Sequence, residues 1–148
     1  MISVLGLDLG KKRIGVAGCD GTGLIATGLT TIHRRSFQQD MLELEQIAQA
    51  RQVQLLVAGL PYSMDGTLGF QAQQVQRLGR RIAIALSLPL EYVDERLTSV
   101  QAEELLRAEK RHLIRDKHLI DRKAAALILQ QWLDQRRSQP TPILSSLK

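Results

Sequence analysis

Aromatic residues are scarce in this chain: one Trp, two Tyr and two Phe make up 3% of 148 residues. An extended platform for stacking bases is thereby excluded, because each stacked base needs an aromatic face. Cysteine occurs once, at Cys19, which rules out an intramolecular disulfide and a cysteine-bound zinc cluster. Its place at the end of a strand-like run suits a small space-filling side chain. No apolar run approaches the length of a membrane span, and no secretory apolar segment with a cleavage site follows Met1. Met1 leads straight into an apolar run, so the chain reads as cytoplasmic and without a membrane partner.

What is present fits one domain with a substantial core. Hydrophobic residues make up 44% and charged residues 24%, which excludes global disorder. Twenty Lys and Arg against fifteen Asp and Glu leave a net charge of +5. That excess favours a polyanionic partner, although it also suits plain solubility.

Local pattern gives the order of elements. Apolar runs at 2–9, 14–19 and 24–32, joined by short Gly-rich connections, predict a three-stranded antiparallel meander. Ser36 with Gln39 reads as a capping box opening a helix to Arg51, with Phe37, Met41, Leu44 and Ala48 at helical spacing. Leu55–Ala58 is a continuous apolar run, as expected for a central strand covered on both faces, and Gly59-Leu60-Pro61 opens a loop to Gly69. A helix over 70–86, a strand over 90–93, a helix from Thr98 or Ser99 to Glu109 and a last helix over 119–137 follow. Residues 1–137 thus form one domain, with 138–148 a frayed tail. The reading is an α/β fold with a five-stranded mixed sheet, antiparallel meander then parallel strands, flanked by helices. This order resembles that of the ribonuclease H-like fold.

Three acids stand out. In the first strand Val4, Gly6 and Asp8 share one face and Leu5, Leu7 and Leu9 the other, so Asp8 interrupts an apolar face. A carboxylate there needs a metal, a base or hydrogen-bond donors, unless it merely belongs to a hairpin turn. Asp94 or Glu95 ends the fifth strand; Glu95 has the longer reach, and Arg96 would neutralise whichever is not a ligand. Asp121 lies in the first turn of the last helix, on the stripe of Ala125, Ile128 and Trp132, where the helix dipole alone would also favour it. Two-metal phosphodiester hydrolysis needs such oxygen ligands converging from different elements on ions about 3.5–4 Å apart. Oxygen donors without a Cys or His pair point to Mg2+ or Mn2+. Lys11, Lys12 and Arg13 either hold a phosphodiester, Arg13 by a bidentate fork, or decorate a solvated turn. Between Arg107 and Lys123 seven Lys or Arg stand against three acids, including Lys110, Arg111, Arg115 and Lys117. That segment is a candidate nucleic-acid contact, as is Arg96, or a solvated face. Trp132 reads as core, and Tyr62 as packing or a base contact.

Gly6-Leu7-Asp8 through Lys12-Arg13-Ile14-Gly15-Val16-Ala17 resembles the opening of the YqgF family of Holliday-junction resolvases, also regarded as pre-16S ribosomal RNA nucleases. The resemblance recurs at Gly59-Leu60-Pro61 with Asp65-Gly66-Thr67, at Asp94-Glu95-Arg96-Leu97-Thr98-Ser99, and at Ile120-Asp121 with Ala124-Ala125 and Ile128-Leu129. It implies a divalent-metal phosphodiesterase whose acids are Asp8, Glu95 or Asp94, and Asp121. It also implies a role in maturing the 5′ end of the small-subunit ribosomal RNA, with structured RNA, branched DNA or the pre-30S particle as partner. Both a monomer and a homodimer fit. Two departures from the superfamily are visible: no acid ends the fourth strand, and Arg122-Lys123 follow the helix acid. A non-cleaving RNA-binding assembly factor would need the basic segment but not the acids. Asp8-Leu9-Gly10 also resembles the first phosphate loop of sugar-kinase-like ATPases, for whose second lobe 148 residues leave little space.

Overall fold

The computed structural model describes residues 1–61, 69–94 and 117–138, with 117–119 described as backbone only. Five strands, β1 (Val4–Leu9), β2 (Arg13–Cys19), β3 (Ala26–His33), β4 (Leu55–Leu60) and β5 (Leu90–Asp94), form one sheet in the order β3-β2-β1-β4-β5. The first three pair antiparallel, whereas β4 and β5 run parallel to β1. Helices α1 (Phe37–Arg51) and α2 (Phe70–Leu86) cover one face, and α3 (Lys117–Ser138) crosses the other. The mixed five-stranded sheet is the one expected from the sequence.

The alternation in β1 divides the core. Leu5, Leu7 and Leu9 join Ile14, Val16, Leu56 and Ala58 under α1 and α2, while Val4 packs with Ala17, Val57 and Val93 under Ala125, Ile128, Leu129 and Leu133 of α3. Cys19 is buried and fills space against Ile2, as its surroundings in β2 suggest. Trp132 is only half-buried, its Nε1 donating to Glu91 of β5 at 2.8 Å.

Several boundaries differ from expectation for identifiable reasons. β3 starts at Ala26 rather than residue 24, because the Asp20 carboxylate accepts from the Leu24 and Ile25 N–H groups and holds both in the turn. β4 continues through Gly59 and Leu60, which pair with Val93 and Asp94 before Pro61 removes the next donor. The capping box is half formed: Ser36 Oγ accepts from Gln39 N at 3.1 Å, but the Gln39 side chain meets that hydroxyl, not the Ser36 backbone. α3 begins two residues early and includes Ser138, so Asp121 lies beyond its first turn and owes little to the helix dipole. The helix expected from Thr98 or Ser99 to Glu109, Tyr62 and the tail beyond Ser138 lie outside the described residues.

Both α1 and α2 end on a residue in the left-handed region, Gln52 at φ 53° and Ser87 at φ 54°. Each strains an L side chain by about 1 kcal/mol, which glycine relieves at some cost in unfolded-chain entropy. Gln52→Gly is expected to stabilise the protein by about 0.5–1 kcal/mol, seen as a higher urea midpoint with an unchanged slope.

Candidate active site

Asp8 sits one residue from the end of β1, on the face covered by α3. Its cross-strand neighbour is Gly15, and across Gly15 lies the backbone of Asp121. Three sheet glycines permit this approach. A Cβ on Gly6 would stand 2.7 Å from Leu129 Cβ, one on Gly28 2.9 Å from Arg122 Cβ, and one on Gly15 would overlap the Asp121 carbonyl oxygen. Gly6 and Gly15 together face helix positions 121, 125 and 129, which repeat every four residues on one face, and Gly28 faces the adjoining position 122. Glycine at these places sets how closely α3 lies on the sheet, and with it where the Asp121 side chain is presented.

The side chains that converge here come from β1, β2 and α3. Arg13 opens β2 on the same face as Gly15, and its Nε donates to Asp121 Oδ2 at 2.6 Å. This is a charge-assisted bond between two mostly buried groups. It occupies Nε alone, and the Arg13 side chain forms no other hydrogen bond among the described residues. The Asp8 carboxyl is pushed up to about 6, first by burial and then by the neighbouring Asp121 carboxylate, against the opposing pull of Arg13. Asp8 is therefore a half-buried acid with one like charge and one opposite charge beside it.

That shift has a measurable sign. A carboxyl titrating near 6 when folded, against an ordinary 3.8, contributes stability present below pH 4 and lost as pH rises through 6. The two values differ by about two units, which is roughly 3 kcal/mol. The metal-free protein is expected to lose stability between pH 4 and 6.5 by an amount of that order from this one group. Urea denaturation across the range checks it against Asp8→Asn, which should lack this component.

Strand register separates the two candidates at the end of β5. Gly6 pairs with Val57, Val57 with Glu91 and Gly59 with Val93, so Glu91 and Val93 share the Asp8 face. Asp94 pairs with Leu60 and lies on the opposite face, with its carbonyl accepting from Gln131 Nε2 at 3.1 Å. Asp94 is thus directed away from Asp8, while Glu95 lies outside the described residues, as do Arg96, Lys110, Arg111 and Arg115. Lys117 opens α3, where only the backbone is described. Among the described residues no cluster of three His, Cys, Asp or Glu side chains forms, so the converging acids there are two, Asp8 and Asp121.

Lys11 and Lys12 are exposed on the β1–β2 turn. The turn closes through Gly10 N to Arg13 O at 3.0 Å and is pinned by Arg34, whose Nη1 donates to the carbonyls of Gly10 and Lys11. Neither Arg34 nor the glycine face stood out in the sequence. The glycines were legible only as small residues of Gly-x-Asp and Ile-Gly-Val, a signal that needs a known partner surface to interpret. No helix among the described residues is long and apolar enough to cross a membrane.

Known proteins resemble this chain in sequence and in fold. A protein of Crocosphaera subtropica named "Putative pre-16S rRNA nuclease" is 66% identical over 93% of this chain and 96% of its own length. One of the same name from Rippkaea orientalis is 68% identical over 92% and 98%. Among solved structures, Thermus thermophilus RuvC in complex with a Holliday junction substrate superposes with a TM-score of 0.57 over 93% of this chain and 97% of that one. At 15% identity this likeness establishes the ribonuclease H-like, resolvase-type fold alone. The RuvX family model, described as Holliday junction resolvase, matches residues 2–135, and the chain belongs to that family, also called YqgF.

Proposed function

We propose that this chain is a divalent-metal-dependent endonuclease that hydrolyses phosphodiester bonds in maturing the 5′ end of pre-16S ribosomal RNA. The observation that carries the reading is the half-buried Asp8 carboxyl beside Asp121 at the end of β1, in a chain about two-thirds identical to proteins named as pre-16S nucleases. A carboxyl whose ionisation is opposed by burial and by a neighbouring acid suits a hard cation with oxygen ligands. Asp8 and Asp121 would hold Mg2+ or Mn2+, and Glu95 is proposed as the further ligand in preference to Asp94, which lies on the opposite face. When bound, the ion supplies a nucleophile at neutral pH and neutralises charge building on the phosphate.

The remaining work falls to the chain itself. Arg13 orients Asp121 through Nε and keeps its terminal nitrogens for a phosphate oxygen. Lys11 and Lys12 hold the backbone from the turn, and Arg96, Lys110, Arg111, Arg115 and Lys117 extend that grip. We assign the enzyme to the cytoplasm and to a single nuclease domain ending with α3, with the pre-30S particle as its setting and a monomer as sufficient for trimming one RNA end.

Branched DNA is the second reading, favoured by the description of the matching family as Holliday junction resolvase. A cleavage assay with Mg2+ or Mn2+ compares a precursor 16S 5′ end with a four-way junction. Cleavage of the RNA at the mature end supports the first reading, and paired nicks in the junction support the second. Binding without cleavage of either marks an assembly factor and sinks the nuclease assignment.

A further inference from the structure

Beyond the catalytic face, a groove of about 330 Å3 opens where the β1–β2 turn meets α2. Its polar wall carries Lys11, Arg34, Gln71, Gln74, Arg77 and Arg81, over a floor of Leu9, Val75 and Leu78. No acid is among the described residues that line it. The volume matches a small-molecule pocket, but such pockets are mainly apolar with few polar groups. Here four cations and two amides surround a narrow apolar strip.

The polar side chains of α2 recur at 71, 74, 77 and 81, the spacing of one helix face. Ten residues of helix span about 15 Å, several times the roughly 3.4 Å between successive charges of one nucleic-acid strand. A single phosphate would leave most of that stripe unused. Two of the cations are held in place beforehand. Arg81 lies over the Phe37 ring, 4.0 Å from its centroid, and Arg34 is fixed by the carbonyls of Gly10 and Lys11. Lys11 lines this groove and also belongs to the turn that joins Asp8 to Arg13, so the groove, on the α2 side of the sheet, and the candidate active site, on the α3 side, flank the same end of β1.

Resting on the nuclease reading, we propose that this groove binds the sugar-phosphate backbone of the polynucleotide flanking the scissile bond, through Arg34, Arg77 and Arg81. Contacts of this kind position the strand without reading its bases. They strengthen RNA and DNA binding alike.

The test uses the full chain carrying Asp8→Asn, so that binding is read without hydrolysis. Arg77→Gln with Arg81→Gln is added, and fluorescence anisotropy follows a labelled precursor 16S 5′-end RNA and a four-way DNA junction over a salt series. Loss of two phosphate contacts is expected to weaken both probes about ten-fold or more and to lower the slope of log K against log salt by about 1–2. Arg77→Glu alone, on an exposed helix position that tolerates it, should weaken binding further than Arg77→Gln. Circular dichroism establishes that each variant is folded. Unchanged affinity and slope in folded variants overturn the proposal, as does a parent protein that binds neither probe. It is also overturned if inorganic triphosphate binds in a manner lost with the two arginines while RNA affinity stays constant, which would make the groove a small-anion site. The nuclease reading fails separately, by the wild-type chain cleaving neither substrate with Mg2+ or Mn2+.

Discussion

Asp8→Asn is expected to abolish phosphodiester cleavage, lowering kcat on the order of 10³-fold or more, while raising the melting temperature of the metal-free protein. The first effect follows from removing an anionic ligand: a metal's stabilisation of the transition state is several kcal/mol, and each 1.4 kcal/mol is about ten-fold in rate. The second follows from the Asp8 carboxyl titrating near 6. At pH 7.5 it is ionised in a half-buried place beside another acid, a strain that asparagine removes. A gain of about 1–3 kcal/mol would raise the melting temperature by several degrees in a domain of this size. Added Mn2+ should then stabilise the wild-type chain by mass action and leave the variant almost unmoved. RNA binding should persist or tighten, because a negative charge facing the phosphate is gone. A variant that cleaves normally would remove Asp8 from the chemistry. One that loses stability at pH 7.5 would show the carboxylate to be satisfied by the fold, with no call for a cation.

The opposition of stability and activity at Asp8 also explains why this residue was legible in the sequence. A lone carboxylate on an apolar strand face violates the local pattern, and such violations gather at functional sites. The meander, the parallel strands and the helix stripe bearing Asp121 were equally readable, because period-2 and period-3.6 patterns are local. What could not be read was pairwise and distant. Arg13 and Asp121 are 108 residues apart, and nothing near either announces the ion pair that turns Arg13 toward the second acid. The choice between Asp94 and Glu95 depends on which residues of β4 stand opposite β5, a register that neither strand contains by itself. Arg34, Arg77 and Arg81 carry no local signal, and only the placing of the turn beside α2 brings them together. The continuation of β4 through Gly59 and Leu60 was hidden by the Gly-Leu-Pro signal, which the pairing with β5 overrides.

Gly15→Ala is expected to be among the most damaging single-methyl changes in the protein, destabilising it by about 3 kcal/mol or more. The added Cβ would overlap the Asp121 carbonyl oxygen and also crowd its carbonyl carbon. Backbone cannot swing aside as the end of a side chain can, so α3 must lift from β2. Lifting it opens the contacts of Ala125, Ile128, Leu129 and Leu133, all fully buried under this helix. Overpacking in a sound core typically costs about 1–3 kcal/mol, and a clash with helix backbone belongs at or above the upper end. For a domain of this length that is a fall of about 6–12 °C in melting temperature. The same displacement carries Asp121 away from Asp8 and strains the Arg13 bond, so activity should fall even at temperatures where the variant is folded. Gly21→Ala is the matched control, since its Cβ would meet only the flexible, exposed Met1 side chain at 3.4 Å. Thermal denaturation and a cleavage assay on both variants decide the matter. Equal, small effects at Gly15 and Gly21 would mean that α3 does not lie against β2 as closely as this site requires, and Asp121 would lose its place beside Asp8.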